Sequence, residues 1–251
     1  TNWLKVGFNG VFSKSDQVLP NNAAWQQAFN TPGIIPVLDE QNTQAFPDKY
    51  ATPSSIGLST NFKNPVATAK YYDAKNELRQ YMTNFYAQIN LLPQKLNFKT
   101  NISYNFQDIN GSVFTPTYYV SDSQQNNTTN LNKSNSQYSS YIWDNTLTYK
   151  DSYGKHNFGA MLGASMRQET YKNLWGNATG VPEGSDAYHY LSQGNATGIT
   201  LGDGGTRYRG LSYFARLNYD FDSKYYLMFT MRADGSSKYQ DQWGYFPSVG
   251  A

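Results

Sequence analysis

The chain has 251 residues, a net charge of +2 and no cysteine, and only 15% of its residues are charged. These values exclude a disulfide scaffold and a cysteine-ligated metal site, and they argue against a nucleic-acid partner. Aromatic residues make up 16% of the chain, including 22 tyrosines, while the mean hydropathy is −0.67. Many aromatic and uncharged polar residues with few ionic ones are typical of a β-protein whose surface does not lie wholly in water.

No stretch of the sequence approaches the roughly 18 apolar residues that a membrane helix needs. The opening segment TNWLKVGFNG lacks the basic and apolar regions of a signal peptide. It alternates instead between apolar and polar residues, as a strand does. We therefore expect the natural N-terminus to lie upstream.

Alternation with a period of two is the main pattern along the chain, and it predicts about eight strands. The clearest case is residues 95–107, where Leu96, Phe98 and Ile102 share one face and Asn97, Lys99 and Asn101 share the other. The predicted strands lie at residues 4–13, 77–92, 95–107, 137–150, 158–167, 211–221 and 225–233, and an eighth begins near Tyr245.

Short and long connections alternate between these strands. Short ones are predicted around Pro93, Ser152–Gly154 and Asp222, and long ones at 15–76, 108–136, 172–207 and 234–244. A transmembrane β-barrel sorts its connections in this way, with short periplasmic turns and long outer loops, whereas a Greek-key sandwich has no reason to do so. The apolar faces also carry aliphatic residues in the middle and Tyr or Trp toward the ends, as aromatic girdles do. The predicted fold is therefore all-β, an antiparallel transmembrane barrel.

The closing segment MRADGSSKYQDQWGYFPSVGA resembles a signature of the SusC/RagA family of TonB-dependent outer-membrane transporters. In that family a strand ends in Arg-x-Asp-Gly-Ser-Ser, and after an outer loop the next strand opens with Gly-Tyr/Phe-Phe-Pro-Ser. The matching residues here are Arg232, Asp234, Gly235, Ser236, Ser237, Gly244, Tyr245, Phe246, Pro247 and Ser248. Weaker similarity covers Asn30–Glu40, Asn61–Ala67 and Lys155–Glu169.

The resemblance implies a larger, 22-stranded barrel, to which residues 1–251 would contribute about eight strands of one transmembrane domain. The plug domain, through which TonB acts, and the C-terminal strands would then lie outside this sequence. It also implies a bacterial outer-membrane location, contact with outer-membrane lipid, a SusD-like surface lipoprotein as partner, and import of a large nutrient. The nutrient would most often be a glycan oligosaccharide and sometimes a peptide. No enzymatic activity and no cofactor are implied.

The sequence leaves several alternatives open. The chain could be a peptide importer of the same family, or a family member that serves as a scaffold in an outer-membrane assembly. It could also be a small, complete eight-stranded barrel with a structural or adhesive role, which would require its last strand to pair with its first. A secreted β-sheet module that binds glycans is the alternative outside the membrane.

The motif residues are interpreted as structural. Gly235 is expected to free the backbone at the strand end, Asp234 and the serines to cap local backbone groups, and Pro247 to mark the start of a strand. Aromatic residues assigned to the outer loops are the candidates for ligand contact, because aromatic faces stack on sugar rings. These candidates are Trp25, Tyr118, Tyr119, Trp175, Tyr188 and Trp243.

Catalytic and metal sites find no support in the sequence. His156 is expected in a tight turn and His189 in a polar loop, and neither has the partner spacing of a catalytic or metal-ligating pair. Asp203-Gly204-Gly205 lacks the context of a phosphate or calcium loop, and we expect a flexible outer loop there.

Overall fold

The computed structural model describes residues 3–59 and 62–251, so Asn61 of the similarity segment Asn61–Ala67 lies outside the described residues. Helices α1 (Asn22–Asn30) and α2 (Pro65–Lys70) both lie in the first long connection. The strands are β1 (Leu4–Val18), β2 (Asp73–Leu92), β3 (Leu96–Thr115), β4 (Tyr118–Ser121), β5 (Gln124–Asn126), β6 (Asn130–Tyr153), β7 (His156–Thr179), β8 (Thr200–Phe221), β9 (Tyr225–Ser236) and β10 (Trp243–Gly250). Within the described ranges, no helix has the length and apolar character needed to cross a membrane.

Eight strands form one antiparallel sheet in the order β1-β2-β3-β6-β7-β8-β9-β10, which confirms the predicted number and direction. The remaining two, β4 and β5, form a separate hairpin that was not predicted. Among the described residues, β1 pairs only with β2 and β10 only with β9. The described strands therefore form an open sheet and do not close into a small eight-stranded barrel.

Short and long connections leave from opposite ends of the strands, as predicted. Turns of two or three residues join β2 to β3, β6 to β7 and β8 to β9, and they use the left-handed φ values of Gln94 (62°), Gly154 (59°) and Asp222 (53°). The other connections leave from the opposite edge and span residues 19–72, 116–129, 180–199 and 237–242. We refer to the margin of the sheet at the short turns as the turn edge and to the margin at the long connections as the loop edge.

Most strands extend further toward the loop edge than the alternation predicted, so the long connections are shorter than expected. The segment Asp203–Gly205 lies inside β8 and pairs with Lys172–Leu174 of β7, so the prediction of a flexible loop there is wrong. The reason is that both faces are largely polar near the loop edge. Hydropathy alternation cannot reveal a strand once its two faces no longer differ.

One face of the sheet is apolar across its whole width. Phe85, Ile102, Trp143, Met166 and Leu211 form a single row across five paired strands. Within the described part of the chain no second layer covers this row, and large side chains elsewhere on the same face are open to the surroundings, such as Phe8 at 67% and Leu162 at 60%. An uncovered apolar surface of this size marks contact with lipid or with another protein. We refer to it as the apolar face, and to the opposite side as the polar face.

The apolar face has the height of a membrane band. On β8 the apolar residues run from Leu211 to Phe221 in alternate positions. At the usual rise per residue this run is about 34 Å long, and at the usual strand tilt of about 40° it spans about 26 Å along the barrel axis. The outward apolar band of outer-membrane barrels is about 25 Å tall.

Between β3 and β8 the upper boundary of this band is slanted relative to the strand pairing. On β3 the unbroken apolar run ends toward the loop edge at Phe106, followed by Asp108 on the same face, and the pairing leads from Phe106 across the sheet to Arg207 on β8. The unbroken apolar run of β8 ends at Leu211, four positions further along that strand toward the turn edge. A tilt of about 40° shifts a horizontal line by about 1.2 residues per strand, or roughly four residues over three strands. The offset from β3 to β8 therefore has about the size that this tilt gives, whereas Phe12, Tyr81 and Phe106 of β1, β2 and β3 lie in one row.

Buried apolar residues lie at the loop edge and in the loops, in two clusters. The first consists of Tyr50, Ala67, Tyr71 and Val120, with Tyr118 packed against it. The second consists of Phe114, Leu131, Ala178 and Val181, with Leu191 and Ile199 packed against it. The buried core is thus in the loops and at the loop edge of the sheet, and the parts of the strands below it present their side chains to the surroundings on both faces.

Candidate functional site

Two buried amide side chains hold the first long connection against the β4–β5 hairpin. The backbone N–H of Asn64 donates to Gln124 Oε1 at 2.7 Å, and Gln124 Nε2 donates back to the carbonyl of Asn64 at 2.8 Å. Gln124 Nε2 also donates to Thr68 Oγ1 at 2.9 Å. Both residues are buried. A buried polar pair of this kind favours one arrangement of the two segments, because a buried polar group left without a partner costs free energy.

The Asn64 side chain connects three segments of the same connection. Its Oδ1 accepts from the backbone N–H groups of Val66 and Ala67 and so caps α2. Its Nδ2 donates to the carbonyls of Val37 and Ala51 at 2.9 and 3.1 Å. Asn64 therefore sets the position of α2 relative to the preceding loop.

A tyrosine cluster completes this packing. Tyr71 stacks on Tyr118 at 4.4 Å between ring centroids and meets Tyr50 edge-on at 5.8 Å. The Tyr71 hydroxyl donates to Asp48 Oδ2 at 2.6 Å. Burial, and then this bond to Asp48, raise the pKa of Tyr71 well above its usual range. The same bond, together with Lys70, lowers the pKa of the Asp48 carboxyl.

We expect the tyrosine cluster to loosen in acid. Because the pKa of Asp48 is lower in the folded loop than in the unfolded chain, its stabilisation is complete above the ordinary Asp pKa of about 3.9 and is lost as the pH falls through the lowered value. Amide hydrogen exchange of residues 46–52 and 65–71 between pH 7 and pH 3 measures this loss. Asp48→Asn should exchange faster at neutral pH and lack the acid step, and an unchanged acid step in that variant would contradict the assignment to Asp48.

A polar groove lies between this connection and the β4–β5 hairpin, with a volume of about 810 Å³. Its lining residues offer side-chain amides and hydroxyls, one aromatic ring, one carboxylate and no cation. They are Gln41, Asn42, Thr43, Gln44, Thr52, Ser54, Ser55, Tyr119, Val120, Ser121, Asp122 and Ser123.

The groove is held rigid by its own hydrogen bonds. The backbone of Tyr119 pairs with that of Phe46 through two bonds of 2.9 Å, which joins the hairpin to the loop. The Tyr119 hydroxyl donates to Asp122 Oδ1 at 2.8 Å, so its ring is fixed at the groove wall. Thr52 and Ser55 bond each other through backbone and side chain at 3.0–3.1 Å. A preformed wall of this kind lowers the ordering cost of binding a ligand.

The other predicted ligand contacts do not converge on the groove. Trp25 lies on α1 and is 75% exposed, and Tyr188 is an exposed residue of the 180–199 loop. Tyr118 lies beside Tyr119 in β4 but stacks on Tyr71 in the interior. Only Tyr119 among the predicted aromatic residues therefore lines the groove.

Two of the aromatic residues predicted in loops lie in strands of the eight-stranded sheet. Trp175 is in β7, on the polar face, where its ring covers Gly202. Trp243 is the first residue of β10 and lies on the apolar face, where it stacks with Tyr213 at 6.1 Å. Their assignment to outer loops is wrong, and Trp243 has the position of a girdle residue rather than of a ligand contact.

The first half of the closing motif contributes to a network on the polar face. Arg232 Nε donates to both oxygens of Asp234 at 2.8 and 2.7 Å, and an Arg232 Nη donates to Ser212 at 3.2 Å. Ser165, opposite Ser212, donates to Asp144 at 2.5 Å. The carboxylate of Asp234 thus binds Arg232, and the expectation that it caps backbone groups is wrong. These side-chain bonds link β6 to β7 and β8 to β9.

The remaining motif residues surround the last strand pairing. Gly235 lies in β9, where a Cβ would come within 3.2 Å of the Trp243 ring and 3.3 Å of the Leu211 carbonyl. Glycine fits this position because these two groups approach its Cα closely, and not because the chain turns here. Ser236 and Ser237 accept from the backbone N–H groups of Lys238 and Arg209. The rest of the motif lies in β10: Gly244, Tyr245, Phe246, Pro247 and Ser248. Pro247 is in the middle of this strand, so the expectation that it marks a strand start is wrong. Among the described strands β10 is an edge strand, where proline is tolerated.

One of the two histidines lies where expected. His156, expected in a tight turn, begins β7 directly after the turn and hydrogen-bonds the Tyr219 hydroxyl at 2.8 Å. His189 lies in the 180–199 loop, as expected, but it is buried and stacks on Phe114 at 3.8 Å, so it is a packing residue of its loop. In the part of the chain that the structure describes, no group of three or more His, Cys, Asp or Glu side chains could hold a metal ion.

The open antiparallel sheet, its sorted connections and its apolar band together define the wall of an outer-membrane-type β-barrel. No family model matches the chain. It is 27% identical over 201 residues to TonB-dependent receptor P3 of Formosa agariphila, covering 76% of this chain and 19% of the relative. It is 26% identical to TonB-dependent receptor P26 of the same species, covering 99% of this chain and 24% of the relative.

TonB-dependent receptor SusC of Bacteroides thetaiotaomicron is 32% identical over 119 residues, covering 47% of this chain and 11% of SusC. Among solved structures, the RagAB peptide transporter superposes with a TM-score of 0.75 at 21% identity, covering 99% of this chain and 28% of the other. These findings relate the chain to the SusC-like TonB-dependent receptors and confirm the resemblance seen in the closing motif. The chain spans about a quarter or less of the length of the curated relatives it matches.

Proposed function

We propose that the chain forms part of an outer-membrane barrel that imports neutral oligosaccharides in a TonB-dependent manner. The names of the relatives, SusC among them, support TonB-dependent import across the outer membrane. The substrate class rests on one observation, the composition of the polar groove. Its amides and hydroxyls can exchange hydrogen bonds with sugar hydroxyls, the Tyr119 ring can stack on a sugar face, and no lining cation favours an anionic ligand.

A SusD-like surface lipoprotein is the partner we propose for the loop side. Helix α1 exposes Trp25 at 75% and Phe29 at 91%, four positions apart and hence on one face of the helix. Large exposed aromatic side chains of this kind are enriched in protein interfaces. These residues face away from any packing within the described chain, which suits contact with a covering protein.

Peptide import is the second candidate. It is favoured by the same exposed aromatic residues of α1, which could receive apolar side chains, and by the fold shared with a protein named as a peptide transporter. The lining of the groove favours neutral oligosaccharides over peptides. A peptide with free termini or charged side chains would find Asp122 as the single charged side chain among the lining residues.

Substitution of Tyr119 distinguishes these candidates. In the full-length protein purified in detergent, we expect Tyr119→Ala to weaken binding of a neutral oligosaccharide at least tenfold in titration calorimetry, since removing a central aromatic contact costs about 2 kcal/mol. Tyr119→Phe keeps the ring and loses only the bond to Asp122, so it should bind nearly as wild type. Tyr188→Ala, on a different loop, is the matched control. Binding of peptides but no oligosaccharide, or an unchanged Tyr119→Ala, would overturn the proposed substrate class.

A further inference from the structure

Three basic residues project from the apolar face just above the membrane band of β7 and β8. They are Lys172 of β7 and Arg207 and Arg209 of β8, and all three are exposed. Met166 lies opposite Leu211 in the pairing of β7 with β8, and alternate residues of a strand share a face. Lys172, Arg207 and Arg209 are an even number of residues from these two positions, so the three basic residues lie on the apolar face. Arg207 occupies the diagonal position next to Lys172, within reach of long side chains.

These cations are not neutralised by carboxylates. Arg209 Nε donates to the neutral side chain of Gln168 at 3.0 Å. Among the described residues, no carboxylate forms an ion pair with any of the three, although Asp203 occupies the other diagonal position beside Lys172.

The other side of the sheet provides a contrast at a similar level. There Lys14 pairs with Glu77 at 2.8 Å and with Asp16 at 3.5 Å, and Arg79 pairs with Glu77. The loop-edge part of the apolar face is thus neutralised on β1 and β2 and positively charged on β7 and β8. If basic residues served only to end the apolar band, those of β7 and β8 could be paired with carboxylates, as those of β1 and β2 are.

The position of these cations determines which anion they can meet. Leu211 and Met166 are the last apolar residues below them, so the cations stand at the level of lipid headgroups on the loop side of the membrane. Long loops lie outside the cell in outer-membrane barrels, so this side is the outer leaflet. In a Gram-negative outer membrane that leaflet consists mainly of lipopolysaccharide, whose lipid A carries phosphate groups.

We infer that Lys172, Arg207 and Arg209 form a binding site for the phosphate groups of an outer-leaflet phosphorylated glycolipid. The two guanidinium groups can donate paired hydrogen bonds to phosphate oxygens, and the Lys172 ammonium adds a third positive charge. The acyl chains of the same lipid would lie along the apolar residues below, from Leu211 toward Leu217. This inference rests on the proposed outer-membrane location but not on the nature of the imported ligand.

The test uses the full-length protein, purified from outer membranes and washed in detergent. Lipid A is then added to lipid nanodiscs that contain the protein, and bound lipid is counted by native mass spectrometry. The test variant is Lys172→Gln/Arg207→Gln/Arg209→Gln. The control variant is Lys14→Gln/Arg79→Gln, which removes basic residues of the same face that are already paired. Barrel folding is checked in both variants by heat-modifiable gel mobility.

We expect the triple variant to retain at least tenfold less lipid A than wild type, and the double variant to retain as much as wild type. Lipid A without phosphates should bind the wild type at least tenfold more weakly. Equal retention by the triple variant, equal binding of phosphate-free lipid A, or equal binding of phosphatidylglycerol would each overturn the inference. Oligosaccharide binding and membrane fractionation are measured on the same samples. If the triple variant binds oligosaccharide and fractionates with the membrane as the wild type does but still retains lipid A, only the lipid site is refuted. If the wild-type protein itself is absent from the membrane fraction, the proposed function is refuted.

Discussion

Leu217→Arg should destabilise the barrel by about 2–4 kcal/mol, because it places a charge on the lipid-facing side near the middle of the membrane band. Leu217 is 55% exposed on the apolar face of β8, near the middle of the apolar run from Leu211 to Phe221. The full-length protein can be refolded into lipid vesicles and unfolded with urea, and the midpoint compared with that of the wild type. In cells, the same variant should accumulate less in the outer membrane.

The adjacent residue supplies the control. Asn218 is exposed on the polar face of the same strand, so Asn218→Arg adds the same side chain one position away in an aqueous environment. We expect it to be nearly neutral. If the two variants were equally stable, or if Asn218→Arg were the more harmful, the apolar face would not be the lipid-facing one.

Asn64→Ala should release the first long connection from the β4–β5 hairpin. The change removes the α2 cap and the bonds to two carbonyls, and it leaves these buried groups unpaired. Each lost cap costs about 1 kcal/mol, and each unpaired buried group about 1–3 kcal/mol. We expect fast amide exchange and new protease sensitivity in residues 31–70, together with loss of ligand binding in the groove.

Asn21→Ala is the matched control, because Asn21 also caps a helix but makes a single exposed bond, to the N–H of Ala23. It should change exchange only at the start of α1. The barrel strands should unfold normally in both variants, since the described contacts of Asn64 lie in the loops. Intact protection of residues 31–70 in Asn64→Ala would show that the packing of the tyrosine cluster alone holds the connection.

The strands and their sorted connections could be predicted because hydropathy contrast is a local property. Residues such as Leu96, Phe98 and Ile102 differ from their neighbours on both sides, and that difference needs no knowledge of distant residues. The contrast weakens above the membrane band, where both faces are largely polar. For this reason the ends of β3, β6, β7 and β8 and the inclusion of Asp203–Gly205 in a strand could not be seen.

The groove could not be predicted, because it depends on contacts between distant segments. Asn64 and Gln124 are both amides in polar stretches, and nothing in either stretch indicates that they bind each other. Trp243 is a different case, because it alternates with Tyr245 on one face of β10. That spacing was a usable signal for a girdle residue, and the assignment to a loop overlooked it.

Accessibility scanning along β8 tests the central claim most directly, namely that the apolar face of this sheet is the lipid-facing wall of an outer-membrane barrel. The 251 residues contain no cysteine, so single cysteines can be placed at each position from 211 to 221 without background from this segment. Nitroxide labels at these sites are examined in lipid vesicles for relaxation by oxygen, which concentrates in lipid, and by a water-soluble nickel complex. The odd-numbered positions should respond to oxygen and the even-numbered positions to nickel. Strong nickel relaxation at all positions would place both faces in water and contradict the account.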